Sequence, residues 1–108
     1  GELNFRDVEL RGVGGFDRAV VAGPACFDGV VAHGNLSFAS SVFSARVSFR
    51  GAQCLGGLWL DSARFSRGVD LSATEVHGRT WLHNAATGDG GSPPITHGYT
   101  YGALGRGA

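Results

Sequence analysis

The chain has 108 residues, which is room for one domain with a modest core but not for a second domain. Nine arginines balance nine acidic residues, so the net charge is zero, which argues against both the basic face of a nucleic-acid binder and a polyanionic surface. No apolar run is long enough to span a membrane and no signal-peptide pattern is visible, so we expect a cytoplasmic protein without membrane partners.

Large apolar residues recur every eleven residues from the beginning of the chain. One series is Phe5, Phe16, Phe27, Phe38, Phe49, Leu60, Leu71 and Leu82, and a second, offset by five, is Leu10, Val21, Ala32, Phe43, Cys54, Phe65 and Val76. All seven phenylalanines lie on these two series. A fixed period of this kind indicates a repeat architecture.

The spacing within each repeat favours short strands over a helix. An eleven-residue apolar period also occurs in right-handed coiled coils. Here, however, apolar residues come in pairs two apart, such as Leu58 and Leu60, as expected for extended segments with both side chains on one face. Glycine recurs on the same period at Gly12, Gly23, Gly34, Gly56 and Gly78. Each would cost a helix about 1 kcal/mol, so we interpret these glycines as corners where the backbone turns.

Several five-residue units resemble those of the pentapeptide-repeat family. They are LSFAS at 36–40, VSFRG at 47–51, ARFSR at 63–67 and VDLSA at 69–73. The resemblance implies that the central Leu or Phe of each unit, and the residue two before it, point inward. It also implies that four units form one square coil of a right-handed β-helix. Carried over to this chain, it gives inward positions from Leu3 and Phe5 through to Thr80 and Leu82.

Because two plain units would span ten residues and the repeat here is eleven, we expect coils of about 22 residues, with position i above i+22. The predicted fold is therefore all-β, a right-handed quadrilateral β-helix of about 3.5 coils with a C-terminal tail. We predict a solenoid over 1–86, a Gly/Pro linker over 87–94 and an aromatic, Gly-rich tail over 95–108. Fourteen such residues cannot order alone, so the tail must dock near Trp81, pair with another chain, or stay loose.

The outward residues offer one candidate binding site. Trp59 and Trp81 are 22 apart, so they should stack on adjacent coils and form an exposed apolar patch. We predict that this patch binds protein, with a contact inside the chain or a homodimer seam as the alternatives to a foreign partner. In the tail, His97, Tyr99 and Tyr101 are candidates for docking or for modification by an enzyme.

The other polar residues do not suggest a reaction. We expect a surface charge ladder formed by Arg6, Asp28 and Arg50. Cys26 should point outward and Cys54 inward. His33 and His77 should lie two coils apart without carboxylates beside them. We therefore expect no catalytic residues, no metal site, since zinc ligands must lie much closer together, and no cofactor.

Three functions follow from these expectations. The first is a non-enzymatic scaffold that recognises another protein and presents its tail, with a homodimer through a coil end as a further option. The second is a ribosomal peptide precursor, in which a modifying enzyme recognises the repeats and alters the tail. The third, implied by the family resemblance alone, is a topoisomerase-binding DNA mimic, which needs a strongly acidic rod and is disfavoured by the neutral charge.

Overall fold

The computed structural model describes residues 2–88, 95–96 and 98–106, of which 95, 96 and 106 are described by their backbone only. Every regular element in these residues is a short strand, as the sequence predicts. In chain order the strands of the described residues are β1 (Leu3–Asn4), β2 (Glu9–Leu10), β3 (Gly14–Gly15), β4 (Val20–Val21), β5 (Ala25–Cys26), β6 (Val31–Ala32), β7 (Leu36–Ser37), β8 (Val42–Phe43), β9 (Val47–Ser48), β10 (Gln53–Cys54), β11 (Leu58–Trp59), β12 (Arg64–Phe65), β13 (Val69–Asp70), β14 (Glu75–Val76), β15 (Thr80–Leu82), β16 (Ala86–Thr87), β17 (Ile95–Thr96), β18 (Thr100–Gly102) and β19 (Gly105–Arg106). None of these residues belongs to a helix that could cross a membrane.

The strands form the four sides of a β-solenoid of about four turns. Side A is β1, β5, β9 and β13; side B is β2, β6, β10, β14 and β17; side C is β3, β7, β11, β15 and β18; side D is β4, β8, β12, β16 and β19. All pairs are parallel, and Leu3 pairs with Ala25 just as Gln53 pairs with Glu75. The offset of 22 residues confirms the predicted length of one coil.

The predicted inward residues fill the interior. Every one of those positions from Ala25 to Leu82 is buried, whereas those of the first coil are half-buried, since no coil among the described residues covers them. The rings of Phe27 and Phe49 stack with their centroids 4.8 Å apart, and Phe27 meets Phe38 edge to face at 5.0 Å. The core therefore contains two columns of stacked rings in lateral contact and a further stacked pair, Phe43 on Phe65, an arrangement worth about 0.5–1.5 kcal/mol per pair beyond burial.

A tight turn follows each member of the first apolar series. The amide of Val30, for example, donates to the carbonyl of Phe27 at 3.1 Å. The residue two positions after the Phe or Leu adopts a positive φ of 55° to 73° each time, at Asp7, Arg18, Gly29, Ser40, Gly51, Ser62, Ala73 and Asn84. Since six of these eight are not glycine, the chain tolerates a conformation that costs an L-residue roughly 1–2 kcal/mol.

The recurring glycines lie at a corner of the coil, as inferred from sequence, but a positive φ is not the reason that glycine is needed there. Gly34, Gly56 and Gly78 lie at the corner between sides B and C, and none of them has a positive φ. A Cβ on Gly56 would lie 2.6 Å from the carbonyl carbon and oxygen of Gly34 in the coil before it. These glycines are needed because successive coils approach too closely there for any side chain.

The tail adds strands to the last coil. β17, β18 and β19 pair in parallel with β14, β15 and β16, as in the first docking mode expected from sequence. The sequence offset between paired residues is shorter here than the 22 residues of the other coils, since Thr80 pairs with Thr100 and Ala86 with Gly105. Leu104 packs against the core. Residues 89–94 of the predicted linker lie outside the described residues.

Candidate functional site

Side C carries a column of aromatic side chains on its outer surface. The register places Trp59 beside Trp81, and Trp81 beside Tyr101. The two indoles meet edge to face with centroids 6.3 Å apart, whereas Trp81 and Tyr101 stack at 4.3 Å. Trp59 is 38% exposed, and the other two are half-buried. We call Trp59, Trp81 and Tyr101 the aromatic face.

Shallow depressions border the aromatic face on both flanks. One, of about 340 Å³, is lined by both indoles together with Asp61 and His83, and is mostly apolar. The other, of about 290 Å³, lies towards the glycine corner and is lined by the same indoles and by Asn35 and Arg79, among others. The face thus combines large apolar surface with polar groups at its edges, which is the composition of a protein-binding patch.

The face has one unsatisfied polar atom. Within the described residues, the indole Nε1 of Trp81 is buried and has no hydrogen-bond partner. The indole N–H is a donor only, and burying it unpaired costs about 1–3 kcal/mol.

The three tail residues predicted from sequence have different surroundings. Tyr101 stacks on Trp81 and is fixed by β18. Tyr99 is 74% exposed. His97 lies outside the described residues. The structure therefore brings Tyr101 together with the two tryptophans, and this connection was hidden in the sequence because 81 and 101 are separated by twenty residues and not by 22.

The cysteines lie where the sequence predicts. Both are free thiols, with Cys54 buried in the core and Cys26 half-buried on the outer surface of side A. Burial raises the pKa of Cys54 to about 12, because the apolar interior disfavours the thiolate. Below pH 9 this thiol therefore stays protonated and acts as a small core side chain.

The histidines have carboxylate neighbours that the sequence analysis did not foresee, and the expectation of none was wrong. His33 Nε2 lies 3.1 Å from Glu9 Oε2, and His77 Nε2 lies 3.8 Å from Glu75 Oε2. Both glutamates belong to side B, and both histidines follow that side. Glu9 and His33 pair between adjacent coils, whereas Glu75 and His77 pair within one coil. Across residues 2–88 and the described part of the tail, no three acidic, His or Cys side chains lie close enough to hold a metal ion.

Of the charge ladder predicted for Arg6, Asp28 and Arg50, the described residues show one ion pair, between Arg6 and Asp28. Arg6 Nη2 lies 3.6 Å from Asp28 Oδ2, and the backbone amide of Arg50 donates to Asp28 Oδ1 at 2.9 Å. Asp28 also accepts a hydrogen bond from the Ser48 hydroxyl. Because Arg6 is well exposed, its ion pair contributes little to stability. The ladder orders the surface between coils and has no geometry for a reaction.

A comparison with protein-family models found a match to part of the chain. The model described as pentapeptide repeats (9 copies) matches residues 16–64. Comparisons with curated proteins and with solved structures gave no match. The matched repeats and the square parallel coils agree, and residues 16–64 are similar to the pentapeptide-repeat family.

Proposed function

We propose that this protein is a non-catalytic scaffold that binds another protein through the aromatic face. Proteins with this fold and these repeats are generally interaction scaffolds without catalytic activity. The observation that carries the proposal is the column of Trp59, Trp81 and Tyr101, aligned by strand register on one side of the solenoid. Tryptophan and tyrosine are the side chains that most often dominate the binding energy of protein interfaces.

The tail takes part in the proposed surface through Tyr101. Because β18 pairs along all of β15, the tyrosine ring is held against Trp81 and lengthens the aromatic face by one coil. In this proposal the tail is presented to a partner as part of the rod, with the exposed Tyr99 next to it. A rigid platform of this kind loses little conformational entropy on binding, which favours affinity.

The proposal predicts that Trp59→Ala with Trp81→Ala weakens capture of a partner at least tenfold. Truncating two central aromatic anchors typically costs about 2 kcal/mol or more each. The measurement is quantitative mass spectrometry of proteins retained from the source organism's lysate by the immobilised chain. A matched control is Val20→Ala, since this valine is 79% exposed on side D.

The decisive result is a protein that the unaltered chain and the Val20→Ala variant retain equally and the tryptophan variant loses. Circular dichroism of all three proteins must agree, so that loss of capture is not loss of fold. Equal retention by the tryptophan variant, or retention of no protein by the unaltered chain, would contradict the proposal.

The peptide-precursor hypothesis has weaker support. The exposure of Tyr99 suits a residue that an enzyme modifies, but Tyr101 is stacked on Trp81 within a paired strand. A modifying enzyme would first have to detach β18 from β15 to reach that ring. We therefore favour the scaffold, in which the docked tail is already in its functional position.

A further inference from the structure

The apolar depression on one flank of the aromatic face is built from four outward side chains. Trp59 and Asp61 stand on one coil, and Trp81 and His83 occupy the same two positions on the next. We call this depression the indole cleft. It is shallow, about 340 Å³ in volume and mostly apolar, with one carboxylate at its edge. A cleft of this kind suits a single side chain of a bound protein better than a free metabolite, which needs an enclosing pocket.

The two indoles form walls of the cleft at a right angle. Tyr101 covers one face of Trp81, with ring centroids 4.3 Å apart. Trp59 lies on the other side of that ring, on the preceding coil, with its plane at 86° and its centroid 6.3 Å away. A group in the cleft can therefore lie against the face of one indole while it touches the other. Aromatic faces carry negative partial charge and attract cations, and tryptophan attracts them most strongly.

Asp61 adds a carboxylate that differs from its equivalent two coils earlier. In that coil, Asp17 accepts a hydrogen bond from the hydroxyl of Ser37, twenty residues further along the chain. Trp81 takes the place of this serine after Asp61, and its buried Nε1 donates to no residue in the described part of the chain. The half-buried carboxylate of Asp61 has no hydroxyl at that position, so its oxygens keep their capacity to accept hydrogen bonds from a bound group.

The walls and the carboxylate together select the chemistry of the occupant. An acidic side chain would meet the like charge of Asp61, and an aliphatic side chain would leave that charge desolvated and unpaired. A lysine ammonium can pair with the carboxylate, but it has no flat surface to lie against an indole. The guanidinium of arginine is planar, stacks on aromatic faces and presents a fork of donors that matches a carboxylate.

We propose that an arginine side chain of the partner protein docks in the indole cleft. Its guanidinium stacks on an indole face and donates hydrogen bonds to Asp61. Arg79 lines the depression on the opposite flank of the indoles, so the carboxylate faces the cleft without an arginine of this chain among the lining residues. Because the cleft borders the aromatic face, this docking mode rests on the proposed function, and it adds the type of residue that the partner contributes. Arginine is among the residue types most enriched at the centres of protein interfaces.

Small arginine analogues test the cleft in the full chain without the partner. The chain has two tryptophans, so its NMR spectrum has two indole N–H signals, and N-acetyl-arginine methylamide should shift them in a saturable way at millimolar concentration. The citrulline analogue has the same shape without the charge and should bind about tenfold more weakly, whereas the lysine analogue should fall between the two. Asp61→Asn should weaken binding of the arginine analogue about threefold. Asp17→Asn is the matched control, since it removes the same charge from the same column where no indole lies beside it, and it should leave binding unchanged.

Equal affinity for the arginine and citrulline analogues, no saturable shift of either indole signal, or an equal loss of affinity in Asp17→Asn and Asp61→Asn would overturn the proposal. These outcomes are distinct from those of the capture experiment. If the tryptophan variant loses the captured protein but arginine binds no better than citrulline, the aromatic face binds protein without an arginine anchor, and this proposal fails alone. If arginine binds selectively but no protein is captured, the cleft is supported and the scaffold function fails.

Discussion

Replacing Phe49 with alanine should lower the free energy of unfolding by about 3–5 kcal/mol, the range for removing a buried aromatic ring. Phe49 is fully buried, stacks on Phe27 and meets Phe38 edge to face. The rod cannot collapse around the cavity, because strand pairing fixes the distance between coils at about 4.8 Å. A loss of this size is a large fraction of the 5–15 kcal/mol that holds an ordinary domain together.

Urea denaturation followed by circular dichroism measures this loss, and Leu55→Ala is the control. Leu55 follows side B and is 42% exposed, so its truncation should cost less than about 1 kcal/mol. If Phe49→Ala costs no more than Leu55→Ala, the stacked columns do not stabilise the rod.

Replacing Gly56 with alanine should cost about 3 kcal/mol, the upper end of the overpacking range, even though only one methyl group is added. The new Cβ would lie 2.6 Å from the backbone of Gly34, and backbone atoms can move only if the two coils separate. Separation would lengthen hydrogen bonds on sides B and C together.

Gly12→Ala is a matched control for this substitution. Gly12 occupies the same corner in the first coil, but a Cβ there has no atom within 4 Å. The Gly12→Ala substitution should change the free energy of unfolding by no more than about 1 kcal/mol. The change should be stabilising, because alanine lowers the conformational entropy of the unfolded chain. Thermal unfolding of both variants gives the comparison, and similar losses for Gly12 and Gly56 would show that the glycines serve backbone conformation after all.

Much of the fold could be predicted because inward positions obey a strict rule. Most residues inside the solenoid are apolar, with buried exceptions such as Ser41 and Thr74, so Phe27, Phe49 and their neighbours appear in the sequence as a regular series. The extra residue in each repeat fixes the coil at 22. The turns are less visible. Arg18, Ser62 and Ala73 adopt positive φ without a sequence signal, because strand pairing on either side holds them there.

The candidate site could be predicted only where it follows the same period. Trp59 and Trp81 are 22 apart, so their adjacency could be inferred. Tyr101 could not be placed, because the shorter last coil breaks the count and the sequence between is rich in glycine. The contact of Glu9 with His33 was missed for a related reason, since it joins neighbouring columns of adjacent coils and not one column.

Disulfide formation between engineered cysteines tests the 22-residue coil most directly. In a background of Cys26→Ser and Cys54→Ala, the pair Gln53→Cys with Glu75→Cys joins residues that are direct partners on side B. Adjacent strands separated by about 4.8 Å are within the reach of a disulfide. Gln53→Cys with Arg64→Cys is the control, since Arg64 lies on side D. A coil of 22 residues predicts rapid oxidation of the 53/75 pair within a monomer and no oxidation of the 53/64 pair. Oxidation of the 53/64 pair in preference to the 53/75 pair would contradict it.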